Sequence, residues 1–296
     1  MFWRRKPAPV EQHQHAQGLL TTLYVMAAMV EARDPYTGGH LWRVSQYSRL
    51  VAEKLGLPAA DIARIGLGAF LHDLGKVGVP DEILRKPGRL TDEEYDVIKA
   101  HPEVGMRVLA GHPLSGLVEA AVLAHHETPD GRGYPQGLSD AEIPDDARIV
   151  GVCDAFDAMT SHRPYRAGMP VEKALNIIEE NMGRQFDRAA ATALLELAGS
   201  GELDPILGHT DDGIPLQDCP ACGPTIVVRR DQQAGDLSCC RSCGAEVSVV
   251  EQAGKLAITP TGQLATKAAL APEADDALIN ALVESVIAHL ELPENL

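Results

Sequence analysis

The most constraining feature of this chain is a polar pair, His72-Asp73, inside an apolar helical run. Apolar residues between positions 65 and 74 follow the spacing of one helix face, which predicts a buried helix ending near a carboxylate. Asp154 has a similar setting within the apolar stretch 149–159. Burying a charge is costly unless it is paired or bound to a metal. Both carboxylates therefore need a partner, and a metal ion is a suitable one.

Histidines recur in comparable positions along the chain. Five of the eleven lie at the ends of predicted helices or beside acidic residues: His40, His72, His101, His125 and His126. Any one of them alone is more often a hydrogen-bonded histidine than a metal ligand, but the repeated pairs favour a shared site. Imidazole and carboxylate ligands without thiolate suit iron, manganese or a similar divalent ion. Asp157, one turn after Asp154, has a second explanation, because it could bond a backbone group or an arginine.

Apolar periodicity divides the chain into regions. Helical spacing dominates to about residue 198, so we predict a mainly α fold with a helical bundle over residues 11–200. Residues 201–218 are rich in Gly, Asp and Pro, which predicts a linker. The β-rich runs TIVVRR, AEVSVVE and KLAIT predict a small β domain over residues 219–260. The tail, residues 261–296, contains a predicted helix over residues 275–290 with one apolar stripe.

Four cysteines form two CxxCG motifs, and they are Cys219, Cys222, Cys240 and Cys243. This spacing is typical of a closed, tetrahedral, structural zinc site, and with the flanking β runs it resembles a zinc ribbon. Cys239 is a spare thiol that could compete with its neighbour for the metal. A redox-active pair is the alternative, but the βαβ pattern that normally surrounds such a motif is absent.

Charge and hydropathy limit the partners of the chain. Its 26 basic and 42 acidic residues give a net charge of −16, which argues against binding polymeric nucleic acid. The apolar run 19–30 is too short to span a bilayer, so we expect a cytoplasmic protein without a membrane segment. The acidity of the tail favours a protein partner at the ribbon or at the last helix. The apolar stripe of that helix could pack on the ribbon or on a second copy of the chain, which leaves a homodimer open.

Several long motifs together carry a family resemblance. FLHDLGKVGVPDEILRKPGRLTDEE resembles the HD segment of the HD-GYP family, and HHETPDGRGYPQGL resembles its GYP segment. DPYTGGH and CDAFDAMTSHRPYR resemble the flanking motifs, so the likeness spans residues 20–198. The resemblance implies an HD-type helical bundle and a metal-dependent phosphodiesterase. Its substrate would be cyclic di-GMP and its product linear pGpG, GMP or both.

The same resemblance assigns roles to individual residues. It implies two divalent metal ions, with Asp73 bridging them, held by His40, His72, Asp73, His101, His125, His126 and Asp154. The implied substrate-binding residues are Lys76, Tyr134, Arg163 and Arg166, and Lys76 with Asp73 would serve catalysis. Some members bind a third metal through a carboxylate at the position of Tyr36, which is a poor ligand, so we expect two metals.

Physical chemistry supports these implied roles. Two metal ions about 3.5–4 Å apart activate water and stabilise the attacking and leaving oxygens of a phosphodiester. Lys76 would add positive charge at the phosphate, and Arg163 and Arg166 could present two guanidinium groups to an anion. Two alternatives are a cyclic di-GMP receptor that signals through the ribbon and an HD hydrolase of another cyclic nucleotide. We expect that removing residues 210–296 spares catalysis.

Overall fold

The first two thirds of the chain fold into helices. The computed structural model describes residues 9–34, 38–86, 88–161, 168–223, 225–271 and 273–292. The helices are α1 (Pro9–Glu31), α2 (His40–Lys54), α3 (Ala59–Leu71), α4 (Asp81–Leu84), α5 (Asp92–Lys99), α6 (His101–Leu109), α7 (Ser115–Ala124), α8 (Asp145–Thr160), α9 (Val171–Glu180) and α10 (Arg188–Ser200). Short 3₁₀ helices occupy Leu74–Gly78 and Asp140–Glu142. The predicted mainly α fold is confirmed. Among the described residues, no helix combines the length and the apolar content needed to cross a bilayer.

Local sequence signals set several helix ends. Thr91 begins α5 with a capping box, in which its Oγ1 accepts from the backbone N of Glu94 and the Glu94 carboxylate accepts from the backbone N of Thr91 at 2.7 Å. Asp187 caps α10 by accepting from the backbone N of Ala190. Gly201 ends that helix with φ of 79°, a left-handed conformation that favours glycine.

The core of the bundle surrounds α2, which packs against α3, α8 and α10. Tyr47 of α2 and Phe156 of α8 make an edge-to-face contact with ring centroids 5.3 Å apart, and both are fully buried. Tyr24 and Phe70 join α1 to α3 in the same way at 5.0 Å. These contacts join α2 to α8 and α1 to α3, and four of the predicted histidines and aspartates lie on or directly after α2, α3 and α8.

The remainder of the chain forms small antiparallel sheets and one helix. Its strands are β1 (His209–Asp211), β2 (Ile214–Pro215), β3 (Gln217–Asp218), β4 (Thr225–Ile226), β5 (Leu237–Cys239), β6 (Ala245–Gln252) and β7 (Lys255–Leu264), followed by α11 (Asp276–Ile287). β1 pairs with β2, β3 pairs with β4, and β5, β6 and β7 form a three-stranded sheet. Three short strands therefore lie in the segment assigned to a linker, and β7 continues past residue 260.

Helix α11 packs against α1 and α3 of the bundle. Its buried side chains, Ile279, Leu282, Val283 and Val286, belong to the same hydrophobic cluster as the bundle core. The apolar stripe therefore faces the bundle, which fits neither packing on the ribbon nor packing on a second copy. Removal of residues 210–296 would uncover this face of the core, which argues against the expectation that such a truncation spares catalysis.

Candidate metal centre

Five helices, α2, α3, α6, α7 and α8, bring the seven predicted histidines and aspartates together. His40 begins α2, His72 and Asp73 follow α3, and Asp154 lies within α8. The other histidines, His101, His125 and His126, lie at the start of α6 and directly after α7. Two groups have nitrogen and oxygen atoms within 4.8 Å of one another and are placed for metal binding; they are His40, His72 and Asp73, and His101, His125 and His126.

The carboxylate of Asp73 faces both groups. Its Oδ1 lies 3.5 Å from Nε2 of His101, while its Oδ2 lies 3.6 Å from Nε2 of His40 and 3.4 Å from Nε2 of His72. Asp154 lies beside the first group, with Oδ1 3.4 Å from Nε2 of His40 and 3.8 Å from Nε2 of His72. Asp73 thus lies between the two groups.

Backbone carbonyls fix the orientation of three imidazole rings. The Nδ1 atoms donate to the carbonyl oxygen of an earlier residue: His72 to Ala69 at 2.6 Å, His101 to Ile98 at 2.8 Å and His125 to Ala121 at 2.9 Å. A carbonyl only accepts, so each Nδ1 carries the proton. In the neutral ring, Nε2 is then unprotonated and its lone pair faces the cluster, which is the usual arrangement of a metal-binding histidine.

The unprotonated Nε2 atoms of these histidines are suited to bind a metal cation. Nε2 of His101 and Nε2 of His125 lie 3.1 Å apart, and neither has a proton to donate to the other. Nε2 of His72 is buried and has no hydrogen-bond partner among the described residues. Burial lowers the pKa of His101 to about 4 and that of His126 to about 3, so both rings are neutral at pH 7. Neutral imidazoles and carboxylates are the donors that divalent iron or manganese accepts.

Asp157 lies behind the cluster and orients His40. Its Oδ2 accepts from Nδ1 of His40 at 2.7 Å, and its Oδ1 accepts from Nε of Arg43 at 2.6 Å. The alternative explanation for Asp157, a bond to an arginine, is therefore the one that the structure shows. Although burial lowers the pKa of His40, the hydrogen bond to Asp157 raises it to about 9. The negative surroundings that favour a proton on Nε2 also favour a metal cation there.

Lys76 lies at the edge of the cluster on the 3₁₀ helix after Asp73. Its Nζ is 2.6 Å from Oδ2 of Asp73. Burial raises the pKa of Asp73, but the charges of Lys76 and His72 outweigh this effect and hold the carboxyl well below its usual range. A cation therefore already lies beside the oxygen that faces two histidines.

Glu127 has a role in the loop after His126 that the sequence did not reveal. The ring of Tyr134 stacks on that of His126, with centroids 4.7 Å apart. Glu127, which is 6% exposed, accepts from the backbone N of Gln136 at 2.7 Å and from the backbone N of Leu138 at 2.9 Å. Its carboxylate therefore anchors the loop that presents Tyr134. In the sequence, the signal for this anchoring role was an acidic residue directly before a glycine-rich segment.

Some predicted residues lie outside the described ranges. Arg163 and Arg166 fall within residues 162–167, and Tyr36 falls within residues 35–37. Their roles stay predictions from the sequence.

The four cysteines form a second cluster in the tail. The Sγ atom of Cys219 is 3.7 Å from those of Cys222 and Cys243, and the Sγ atoms of Cys222 and Cys240 are 3.6 Å apart. Zn–S bonds of about 2.3 Å in a tetrahedron place sulfur atoms roughly 3.8 Å apart, which these distances fit. The thiol of Cys239 points elsewhere and contacts the carbonyl of Ala269 at 3.3 Å.

Comparisons with known proteins identify the family of the helical region. A family model described as HD domain matches residues 24–190. The chain is 42% identical over 190 residues to the cyclic di-GMP phosphodiesterase response regulator RpfG of Xanthomonas campestris pv. campestris, a match that covers 64% of this chain and 50% of RpfG. It is 39% identical over 199 residues to a cyclic di-GMP phosphodiesterase of Thermotoga maritima, covering 67% and 54% of the two chains. It is 42% identical over 168 residues to the 3'3'-cGAMP-specific phosphodiesterase 3 of Vibrio cholerae, covering 56% and 36%.

The chain spans about half the length of the first two of these relatives. Among solved structures, it is similar to Bd1817, an HDGYP protein from Bdellovibrio bacteriovorus, with a TM-score of 0.47 and 21% identity. That similarity covers 64% of each chain. The family match ends before β1, so the tail strands and α11 lie beyond it.

Proposed function

Because this chain belongs to the HD domain family, we propose that it is a metal-dependent phosphodiesterase that hydrolyses cyclic di-GMP to linear pGpG, GMP or both. The observation that carries the proposal is the position of Asp73 between two groups of buried imidazoles. The names of its relatives from Xanthomonas campestris and Thermotoga maritima support the choice of substrate.

We assign one divalent metal ion to each side of Asp73. The first would be held by His40, His72, Asp73 and Asp154, and the second by Asp73, His101, His125 and His126. Iron and manganese suit these seven ligands, which combine imidazole and carboxylate without thiolate. Two such ions, when bound, supply an activated water and stabilise charge on the phosphate.

The remaining roles belong to side chains around the centre. The ammonium group of Lys76 would contact the scissile phosphate, since it already lies beside an oxygen of the bridging carboxylate. Tyr134, held on the ring of His126, would contact the nucleotide. Arg163 and Arg166, three residues apart in the sequence, would bind the other phosphate or a guanine base.

The test is product analysis on the full chain purified without oxygen and loaded with Mn²⁺ or Fe²⁺. We expect two metal ions per chain at the HD centre and conversion of cyclic di-GMP. Asp73→Asn should abolish turnover and lower the metal content, while Asp61→Asn, which alters a surface pair with Arg64, should retain both. Loaded wild-type protein that leaves cyclic di-GMP intact would refute the proposal. If such protein binds the dinucleotide tightly, a receptor would be the better assignment.

A second substrate has support of its own. The Vibrio cholerae relative, which matches at 42% identity, is named for 3'3'-cGAMP rather than cyclic di-GMP. Both are cyclic dinucleotides with two phosphodiester bonds, so the same metal centre would serve either. Relative kcat/KM values for cyclic di-GMP and 3'3'-cGAMP decide between the two substrates.

We assign one structural zinc ion to Cys219, Cys222, Cys240 and Cys243.

We place the contact with a protein partner at the ribbon. Helix α11 is a poor candidate for this contact because its apolar face is buried in the bundle core. Leu237 on β5 and Leu264 on β7 are 57% and 75% exposed at the two outer strands of the ribbon sheet. A homodimer through these strands is one form of this contact. Light scattering of the wild type and a Leu237→Lys, Leu264→Lys variant tests that form.

A further inference from the structure

A buried arginine connects the HD centre to the tail. The guanidinium of Arg43, which is 2% exposed, donates to Asp157 through Nε at 2.6 Å and through Nη2 at 3.1 Å. Its Nη1 donates at 2.9 Å to the backbone carbonyl of His209, the first residue of β1. Asp157 in turn accepts from Nδ1 of His40. Three consecutive hydrogen bonds thus lead from the tail backbone to a proposed metal ligand.

The tail also packs closely against the turn, Gly38 and Gly39, that precedes His40. Gly39 has φ of 73°, and a Cβ placed there would lie 2.6 Å from Cα of Thr210 in β1. A Cβ at Gly38 would lie 2.6 Å from the side chain of Val227, just after β4. Backbone at this junction is therefore in van der Waals contact, and a shift of β1 or β4 has to move the start of α2.

The cysteine cluster controls the strands that make this contact. Cys219 and Cys222 form the turn between β3 and β4, so a metal ion there closes the hairpin that carries Val227. Beyond β4, the guanidinium of Arg230 makes two hydrogen bonds of 2.5 Å to the carboxylate of Asp211 in β1. Both β4 and β1 are thereby held in one unit with the ribbon.

We propose that the ribbon, by docking on the bundle, positions the ligands of the HD metal centre. Arg43 is the positioning residue that connects β1 of the tail to Asp157 behind the centre. A docked tail holds Asp157 and therefore His40 in the orientation that binds metal. Loss of zinc from the ribbon or displacement of β1 then weakens metal binding and lowers turnover. This inference rests on the proposed function, and the tail residues that make these contacts lie beyond the family match.

The test measures the affinity of the full chain for Mn²⁺ by competition with a chromophoric chelator, together with the electron paramagnetic resonance spectrum of the bound ion. Thr210→Trp cannot fit its buried position against Gly39 and displaces β1, whereas Thr210→Val keeps the size of the side chain. Arg43→Lys keeps the charge but removes the fork that joins Asp157 to His209. Arg49→Lys is the matched control, since it lies on the same helix and contacts Ser285 of α11 instead.

Arg43→Lys and Thr210→Trp should each weaken Mn²⁺ binding by about 10- to 100-fold, the usual effect of losing the support of a metal ligand. Both should also alter the spectrum, while Thr210→Val and Arg49→Lys match the wild type. Cys219→Ser combined with Cys222→Ser should remove the ribbon zinc and shift Mn²⁺ affinity in the same direction.

Two outcomes would overturn the inference. One is a folded Thr210→Trp or Arg43→Lys protein with wild-type Mn²⁺ affinity and spectrum. The other is a cysteine variant that has lost its zinc, shows faster hydrogen exchange in residues 209–215, and still binds Mn²⁺ as the wild type does. A wild-type protein that binds no Mn²⁺ at the HD centre and hydrolyses no cyclic dinucleotide would instead refute the proposed function.

Discussion

Replacing Gly75 by alanine should separate the two halves of the metal centre. Gly75 lies in the 3₁₀ helix directly after Asp73, and it packs on the first turn of α6, which begins at His101. A Cβ at this position would lie 1.7 Å from the carbonyl oxygen of His101 and 2.5 Å from the backbone N of Gly105. Both neighbours are backbone atoms, so no side-chain rotation relieves the overlap.

The size of the effect follows from these distances. Real Cβ atoms essentially never approach closer than 3.0 Å, so the two backbones must separate by more than 1 Å. Metal–ligand distances tolerate only about 0.2 Å, and a displacement of about 1 Å in a catalytic site costs roughly 100-fold in rate. Overpacking of a core contact also destabilises a protein by about 1–3 kcal/mol. We therefore expect a folded protein with weaker metal binding and at least about 100-fold lower turnover.

Three measurements test this prediction: metal content after dialysis, turnover of cyclic di-GMP, and urea unfolding. Gly18→Ala is the matched control, because a Cβ there meets nothing within 4 Å. That change in α1 should leave metal content and turnover unaltered and stabilise the helix by about 0.5–1 kcal/mol. A Gly75→Ala protein with two tightly bound metal ions and wild-type turnover would refute the reasoning.

Three other substitutions separate the roles of the centre, the loop and the ribbon. Lys76→Met should lower kcat by about 100- to 1,000-fold while metal content stays at two ions per chain, as steady-state kinetics and metal analysis would show. Glu127→Gln places an amide NH₂ against backbone N–H donors; it should cost about 1–3 kcal/mol in unfolding free energy and raise KM more than it lowers kcat. Cys243→Ser should remove the single ribbon zinc and lower the melting temperature; an unchanged zinc content would contradict the four-cysteine site.

Local patterns predicted much of this structure correctly. The helical apolar spacing depends on residues a few positions apart, and the helices formed where that spacing occurred. The histidines were found because an imidazole at the end of an apolar helix is unusual, and the structure groups them as that logic requires.

Other features had no local signal. The partner of Arg43 lies 114 positions away, so nothing near either residue indicated the pair. The apolar stripe of α11 predicted a buried face but not the surface that covers it, because hydrophobic burial is not directional. The sequence did not show that Glu127 anchors the loop after His126. Its partners are backbone N–H groups of that loop, and the sequence did not specify the path of the loop.

The packing of α11 against α1 has a consequence for synthesis of the chain. One helix comes from the start of the sequence and the other from its end, yet both belong to one hydrophobic cluster. While the ribosome is still adding the ribbon, the bundle therefore lacks part of its core, and apolar surface on α1 and α3 faces the solvent. Such exposed surface promotes aggregation of partly folded chains. A pause in translation before residue 276 would therefore leave this apolar face of the HD bundle exposed until α11 is synthesised and docks.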